Sequence, residues 1–176
     1  MKFKWVVIAL AAVVGISSIP SISASAKMQI TKTVPTSYHG TWYGANLKNS
    51  RELIYISNQY VITGSYSKYN AKTHQIKYDY DTGYLPKGTG SNKLLFKKVL
   101  KGDGQAGTTY TFNQGSDIVD QLPAYWVSKM KIKGKMQPVL KAYENYGEVQ
   151  VYTKKPVAKD YSYTIKQKNV GSEIGK

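Results

Sequence analysis

The chain has no cysteine, one arginine and ten acidic residues among its 176 positions. Without cysteine, a disulfide scaffold and thiolate chemistry are both excluded. With Arg51 as the only arginine, the side chain that reads phosphates and guanine edges in a bidentate way is nearly absent; lysine acts instead as a solvated point charge. The two histidines, His39 and His74, form no metal-binding pattern. Asp79 and Asp81 would share one face of a strand, a spacing open to a hard cation, but they read first as solvated turn chemistry. No Gly-x-Ser-x-Gly elbow and no phosphate-binding glycine loop is present. A Ser-His-Asp triad assembled in space is left open by sequence. No metal and no cofactor is expected.

Long apolar runs are also missing, with one exception. Residues 1–26 have the layout of a secretory signal peptide. Lys2 and Lys4 make a positive start, Trp5 to Ile16 is an apolar run of 12 residues, and Ala24-Ser25-Ala26 fits an A-x-A cleavage rule. The run is shorter than the roughly 18–20 residues that cross a bilayer. Cleavage is therefore expected between Ala26 and Lys27, releasing a secreted, extracellular chain with no transmembrane segment. Losing Lys2 and Lys4 reduces the 25 basic residues to 23, against 10 acids, for a net charge of +13. Such a surface is attracted to polyanions without recognising one in particular. The expected partner is an anionic cell-wall polymer or cell surface, held by electrostatics. Tyrosine and lysine are interleaved, as a stacking groove would need, but no nucleic-acid motif appears, so no specific nucleic acid is expected.

What the chain does have is tyrosine, 16 residues of it, together with many short β-prone runs. Lys27 to Val34 reads as a flexible lead-in. Pro35 to His39 fits one helical turn, because proline suits a first helical position. Gly40 stops that turn, and Thr41-Trp42-Tyr43 begins a strand. Strands follow at Glu52–Ser57, Tyr60–Thr63, Gln75–Tyr80, Lys93–Leu100 and Thr108–Phe112, separated by glycine- and asparagine-rich turns. Ser65–Asn70 is polar and Tyr-rich, and Gly83–Asn92 reads as a long loop. Ser116–Leu122 is the best helix candidate, capped by Ser116 and ended by Pro123. Tyr125–Ile132 and Lys135–Ala142 alternate, and predict a hairpin with Trp126, Met130, Ile132, Met136, Leu140 and Ala142 on an apolar face and lysines on the other. Pro138 should meet an edge or a bulge. Val149–Thr153 and Tyr161–Ile165 complete the set, and residues 167–176 are expected to fray.

The expected fold is all-β: a single small antiparallel β-barrel over residues 35–166, of about eight to ten short strands with one or two short helical turns. Pro35-Thr36-Ser37-Tyr38-His39-Gly40-Thr41-Trp42-Tyr43 resembles the first motif of lipocalins and related calycin barrels. The resemblance implies a lipocalin-like barrel whose closed end is sealed by Gly40 and Trp42, and a ligand carried inside. The chain also resembles small exported proteins of lactic-acid bacteria, through Gly40-Thr41-Trp42-Tyr43 and Val151-Tyr152-Thr153-Lys154. The family's Thr-Asp-Tyr motif and its late arginine have no match here.

Three functions stay open. The first is a secreted, lysine-rich β-barrel protein retained at an anionic surface and binding a glycan or a small apolar ligand. The second is an enzyme acting on cell-wall or extracellular polymer, for which two converging carboxylates would be the mark. The third is an interaction module with a filled barrel. The candidate binding residues are Trp42, Tyr43 and Trp126, with core packing the alternative role for each.

Overall fold

The computed structural model describes residues 28–45, 51–70, 72–73, 75–86, 94–102, 104–114 and 123–176. The cleavage position at Ala26 and Lys27 and the helix candidate at Ser116–Leu122 lie outside them. The described residues form one antiparallel sheet of eleven strands, more than the eight to ten expected. They are β1 (Met28–Thr31), β2 (Gly40–Tyr43), β3 (Glu52–Ile56), β4 (Tyr60–Asn70), β5 (Gln75–Pro86), β6 (Leu94–Val99), β7 (Thr109–Gln114), β8 (Ala124–Ile132), β9 (Lys135–Tyr143), β10 (Glu148–Thr153) and β11 (Tyr163–Thr164). The expected turn before Gly40 is a single 3-10 turn, Thr36–Tyr38, and Gly40 has a φ of 95° that favours glycine.

The strand order is β1-β6-β7-β8-β9-β10-β2-β3-β4-β5, with β11 on β10. Trp42, Ile54, Ile56, Val61, Phe96, Leu140 and Tyr152 belong to one buried cluster drawn from strands β6 through β4 of that order. Laid flat, those eight strands would span about 34 Å at roughly 4.8 Å per gap. The described residues supply no second layer on this face beyond Val34 and Tyr38. The sheet is therefore buried by curling on itself. It is not closed: no pairing joins β5 to β6 or β1 among the described residues, so the expected closed barrel is not what the ladder forms.

Four other expectations change. The lead-in is folded: β1 pairs with β6 from Met28↔Val99 to Thr31↔Phe96, and the buried Val34 donates its N–H to Asn58 Oδ1 at 3.1 Å. The polar stretch 65–70 and the start of the glycine loop are strand, because β4 and β5 pair over their whole length, with register shifts near Gly64 and Tyr66 absorbing the irregular sequence. The β8–β9 hairpin turns on Lys133 and Gly134, with φ of 47° and 82°. A two-residue turn of this kind pairs Ile132 with Lys135. Even positions of β8 therefore face the same way as odd positions of β9, and the predicted apolar and lysine faces do not form. Trp126 lies opposite Lys141, and Tyr125 opposite Ala142. Pro138 lies just past the last β9–β10 pair, Val139↔Thr153, where no ladder bond is lost on that side.

The last correction is the tail. Residues 167–176 form a 3-10 turn (Gln167–Asn169) and the short helix α1 (Val170–Glu173). Ile165 and Ile174 are buried with Trp126 and Val149 on the outer face of the sheet, and Val157 with Ile132, Val139 and Val151. Ile174 O accepts from Ala106 N and Gly107 N at 2.9 and 3.1 Å. A Cβ on Gly107 would lie 1.9 Å from Gly175 O, so only glycine lets the two backbones meet. Burying each isoleucine is worth about 1.5–3 kcal/mol, which together with the Ile174 backbone contacts seats the tail on the sheet.

Candidate functional site

The three rings singled out by sequence are placed in three separate clusters. Trp42 is fully buried on the inner face. Its Nε1–H donates to Tyr38 O at 2.7 Å. Lys154 Nζ stands 3.4 Å over the ring centroid and donates to His39 O at 2.8 Å. Burial pushes the Lys154 ammonium down to about 8. Trp42 is thus a plug with a cation on its face. Tyr43 points the other way, edge-on to Tyr66 at 5.6 Å and packed with Leu53. Trp126 lies under the tail, its Nε1–H donating to Lys176 O. Lys141 donates to the same oxygen at 3.0 Å and sits 5.7 Å from the Trp126 ring. All three rings are covered by protein.

The inner face changes character along the strands. Period-two alternation puts Glu52 on the same face as Ile54 and Ile56, but at the opposite end of β3 from Ile56, which pairs with Gly40. There the interior opens into a cavity of about 310 Å³, lined chiefly by Glu52, Ile54, Thr63, Ser65, Tyr125 and Tyr152. A second hollow of about 160 Å³, which includes Gln150, Asp160 and Ser162, shares Glu52 and Tyr152 with it. The Tyr152 hydroxyl lies 3.3 Å from Glu52 Oε2 and also contacts Gln150 Oε1. Tyr125 is 8% exposed and stacks on Phe112 at 4.8 Å. Its main-chain oxygen accepts from the Tyr38 hydroxyl, but its own hydroxyl has no hydrogen-bond partner among the described residues.

Burial pushes both phenols up, Tyr125 with Glu144 and Glu52 adding, and Tyr152 with Tyr125, Glu52 and Glu144 adding. They stay neutral at any physiological pH. Burial also raises Glu144, with Glu52 and Glu148 pushing the same way. The three glutamates therefore share one end of the molecule. Among the described residues the only ion pair joins Lys176 to Glu173, so neither Glu52 nor Glu144 has a cationic partner there. No group of three or more potential metal ligands occurs among the described residues.

Sequence reasoning missed Glu52, Tyr125, Glu144 and Tyr152. The alternation along β3 was the available signal, since it sets the carboxylate in phase with two buried isoleucines, while Glu52 itself stays exposed at the end of the strand. Compared with known proteins, the chain matches no family model, no curated protein and no solved structure.

Proposed function

We propose that this is a secreted, lysine-rich β-protein of lipocalin-like build that is held at an anionic cell-wall polymer through the tip of its β8–β9 hairpin. The hairpin carries the reading. From Pro123 to Tyr143 the chain has five lysines and no acid. Lys129, Lys131, Lys133 and Lys135 are all exposed near the turn, and none has an acidic partner among the described residues. Lys129 and Lys131 are about 7 Å apart on one strand, Lys133 is in the turn and Lys135 is on the other face, so the tip presents positive charge on both sides to a polyanion. The lipocalin-like build is supported by the plug: Gly40, Trp42 and a late cation, Lys154, where the resemblance asks for arginine. Within the bound-ligand part of the reading, the hydroxyl- and carboxylate-lined cavity favours a polar ligand over an apolar one.

Binding of the purified protein to isolated bacterial walls tests this. Retention should fall steeply as salt rises, and should be lost when Lys129, Lys131, Lys133 and Lys135 are all changed to Gln. Retention that survives the fourfold change would sink the proposal. The raised Glu144 beside Glu52 favours a second reading, hydrolysis of a polymer by a carboxylate pair. Release of soluble fragments from the same walls, abolished in Glu144→Gln, would replace the first reading with that one.

A further inference from the structure

We propose that the cavity between β3, β4, β8 and β10 is a binding site for a small organic cation, an ammonium group held between the Glu52 carboxylate and the hydroxyls of Tyr125 and Tyr152. This goes beyond retention at a polyanion and does not depend on it. The sign of the ligand follows from the lining. Among the described residues Glu52 is the only charged side chain on the cavity wall. Glu144 stands close enough to act electrostatically on both phenols. The nearest basic neighbour in sequence, Arg51, has the opposite phase along the strand and acts on Tyr66, which packs edge-on to Tyr43.

The protein has 25 basic residues to ten acidic ones, yet leaves Glu52 and Glu144 without a lysine partner among the described residues. An anion would be repelled here. Lysines elsewhere are screened beyond about 8 Å at physiological salt.

The second observation is the Tyr125 hydroxyl. This hydroxyl borders the cavity and makes no hydrogen bond among the described residues, so its oxygen is open to whatever fills the cavity. A phenol oxygen accepts as well as donates. An ammonium N–H can therefore satisfy it while pairing with Glu52. The phenols remain un-ionised, so they offer acceptor oxygens and ring faces without adding charge. A divalent metal fits less well, since calcium takes about six to eight oxygen ligands and one carboxylate lines the wall. The volume, about 310 Å³, is at the small end of ligand pockets, roughly 300–1,000 Å³.

Two probes of nearly equal size, butylammonium chloride and 1-butanol, separate charge from shape. Each is titrated into the isotopically labelled protein at low salt and followed by NMR, with choline chloride as a quaternary probe. Saturable shifts at Tyr125 and Tyr152 with butylammonium, and not with butanol, are expected. Glu52→Gln should weaken binding at least tenfold, and Tyr125→Phe, which keeps the ring stacked on Phe112, several-fold. Choline binding as tightly as butylammonium would remove the hydrogen bond to Tyr125 and overturn the geometry proposed. Equal response to butanol, an unchanged affinity in Glu52→Gln, or no saturable response to either cation would each overturn the site. Glu52→Gln should leave wall retention as it was, so failure of this site and failure of the lysine hairpin are told apart.

Discussion

The two ends of the curled sheet contrast in charge and in filling. At one end Gly40 pairs with Ile56, Trp42 fills the interior, and Lys154 lies on the indole. Register carries the β8–β9 tip toward this same end, because Thr153 pairs with Val139 and the lysines lie beyond that pair. At the other end are Glu52, Glu144 and Glu148, two buried phenols and a cavity. One end is packed and basic; the other is hollow and acidic. Packing at the first end holds the sheet together. The second end keeps polar groups that packing alone would not select, since a half-buried carboxyl such as Glu144 costs stability. That contrast assigns the proposed ligand site to the hollow end and not to the tryptophans.

The largest effect should come from the packed end. Trp42→Ala removes a fully buried indole and the seat of Lys154, and should cost about 3–5 kcal/mol in urea unfolding. Tyr152→Phe at the hollow end should cost about 1 kcal/mol, the worth of its hydroxyl contacts. Equal losses from the two variants would erase the distinction between the ends. Next in size is the outer cover. Gly107→Val cannot accommodate Gly175, so the tail should lift and about 2 kcal/mol of isoleucine burial should be lost. Faster hydrogen exchange over residues 170–176, with Trp126 fluorescence shifted to the red, would mark this; unchanged exchange would show that the tail is not seated on that glycine.

Smaller again is a pH effect. Lys154 titrates near 8 in the folded chain against 10.5 when unfolded. Between those values the unfolded chain binds the extra proton, so stability should rise with pH from about 8 toward 10. The buried tyrosines act in the opposite sense. Their folded values lie above the ordinary 10.0, so stability should fall above pH 10, where only the unfolded chain ionises. Lys154→Met should flatten the rising limb in thermal melts and leave the falling one. A limb that persists in the variant would assign it to another group, with Lys141, also lowered by burial, the first to examine. The smallest effect is expected from changing the four tip lysines to Gln, within about 0.5 kcal/mol of the parent protein, since they are exposed and have no acidic partner among the described residues. A larger loss would mean that the hairpin tip is part of the packed end.

Strand character was legible wherever β-branched and aromatic residues cluster between turn signals. Glu52–Ile56, the turn at Asn58-Gln59, and the starts of β8 and β9 could all be read from local chemistry. So could the turn ended by Gly40, where one residue has the conformational freedom required. Parity across the β8–β9 turn was not legible by eye, because it depends on Lys133 taking a positive φ beside Gly134. The tail's docking was not legible either: Ile174 looks like a lone apolar residue near a chain end until the backbone of Gly107 is brought to it. The candidate site was barely legible at all. Tyr125, Tyr152, Glu52 and Glu144 are far apart in sequence and share no motif.

By itself, then, the sequence determined the all-β antiparallel character and the basic charge, because strand propensity, turn chemistry and charge are properties of residues and near neighbours. Only the tertiary structure decided which face each lysine takes, that the sheet curls without a closing ladder among the described residues, that the tail covers Trp126, and that two phenols and two carboxylates meet at one end. Those depend on pairing register and on close approach between distant segments. A shift of one residue in register would exchange the faces, while composition and local pattern would be unchanged.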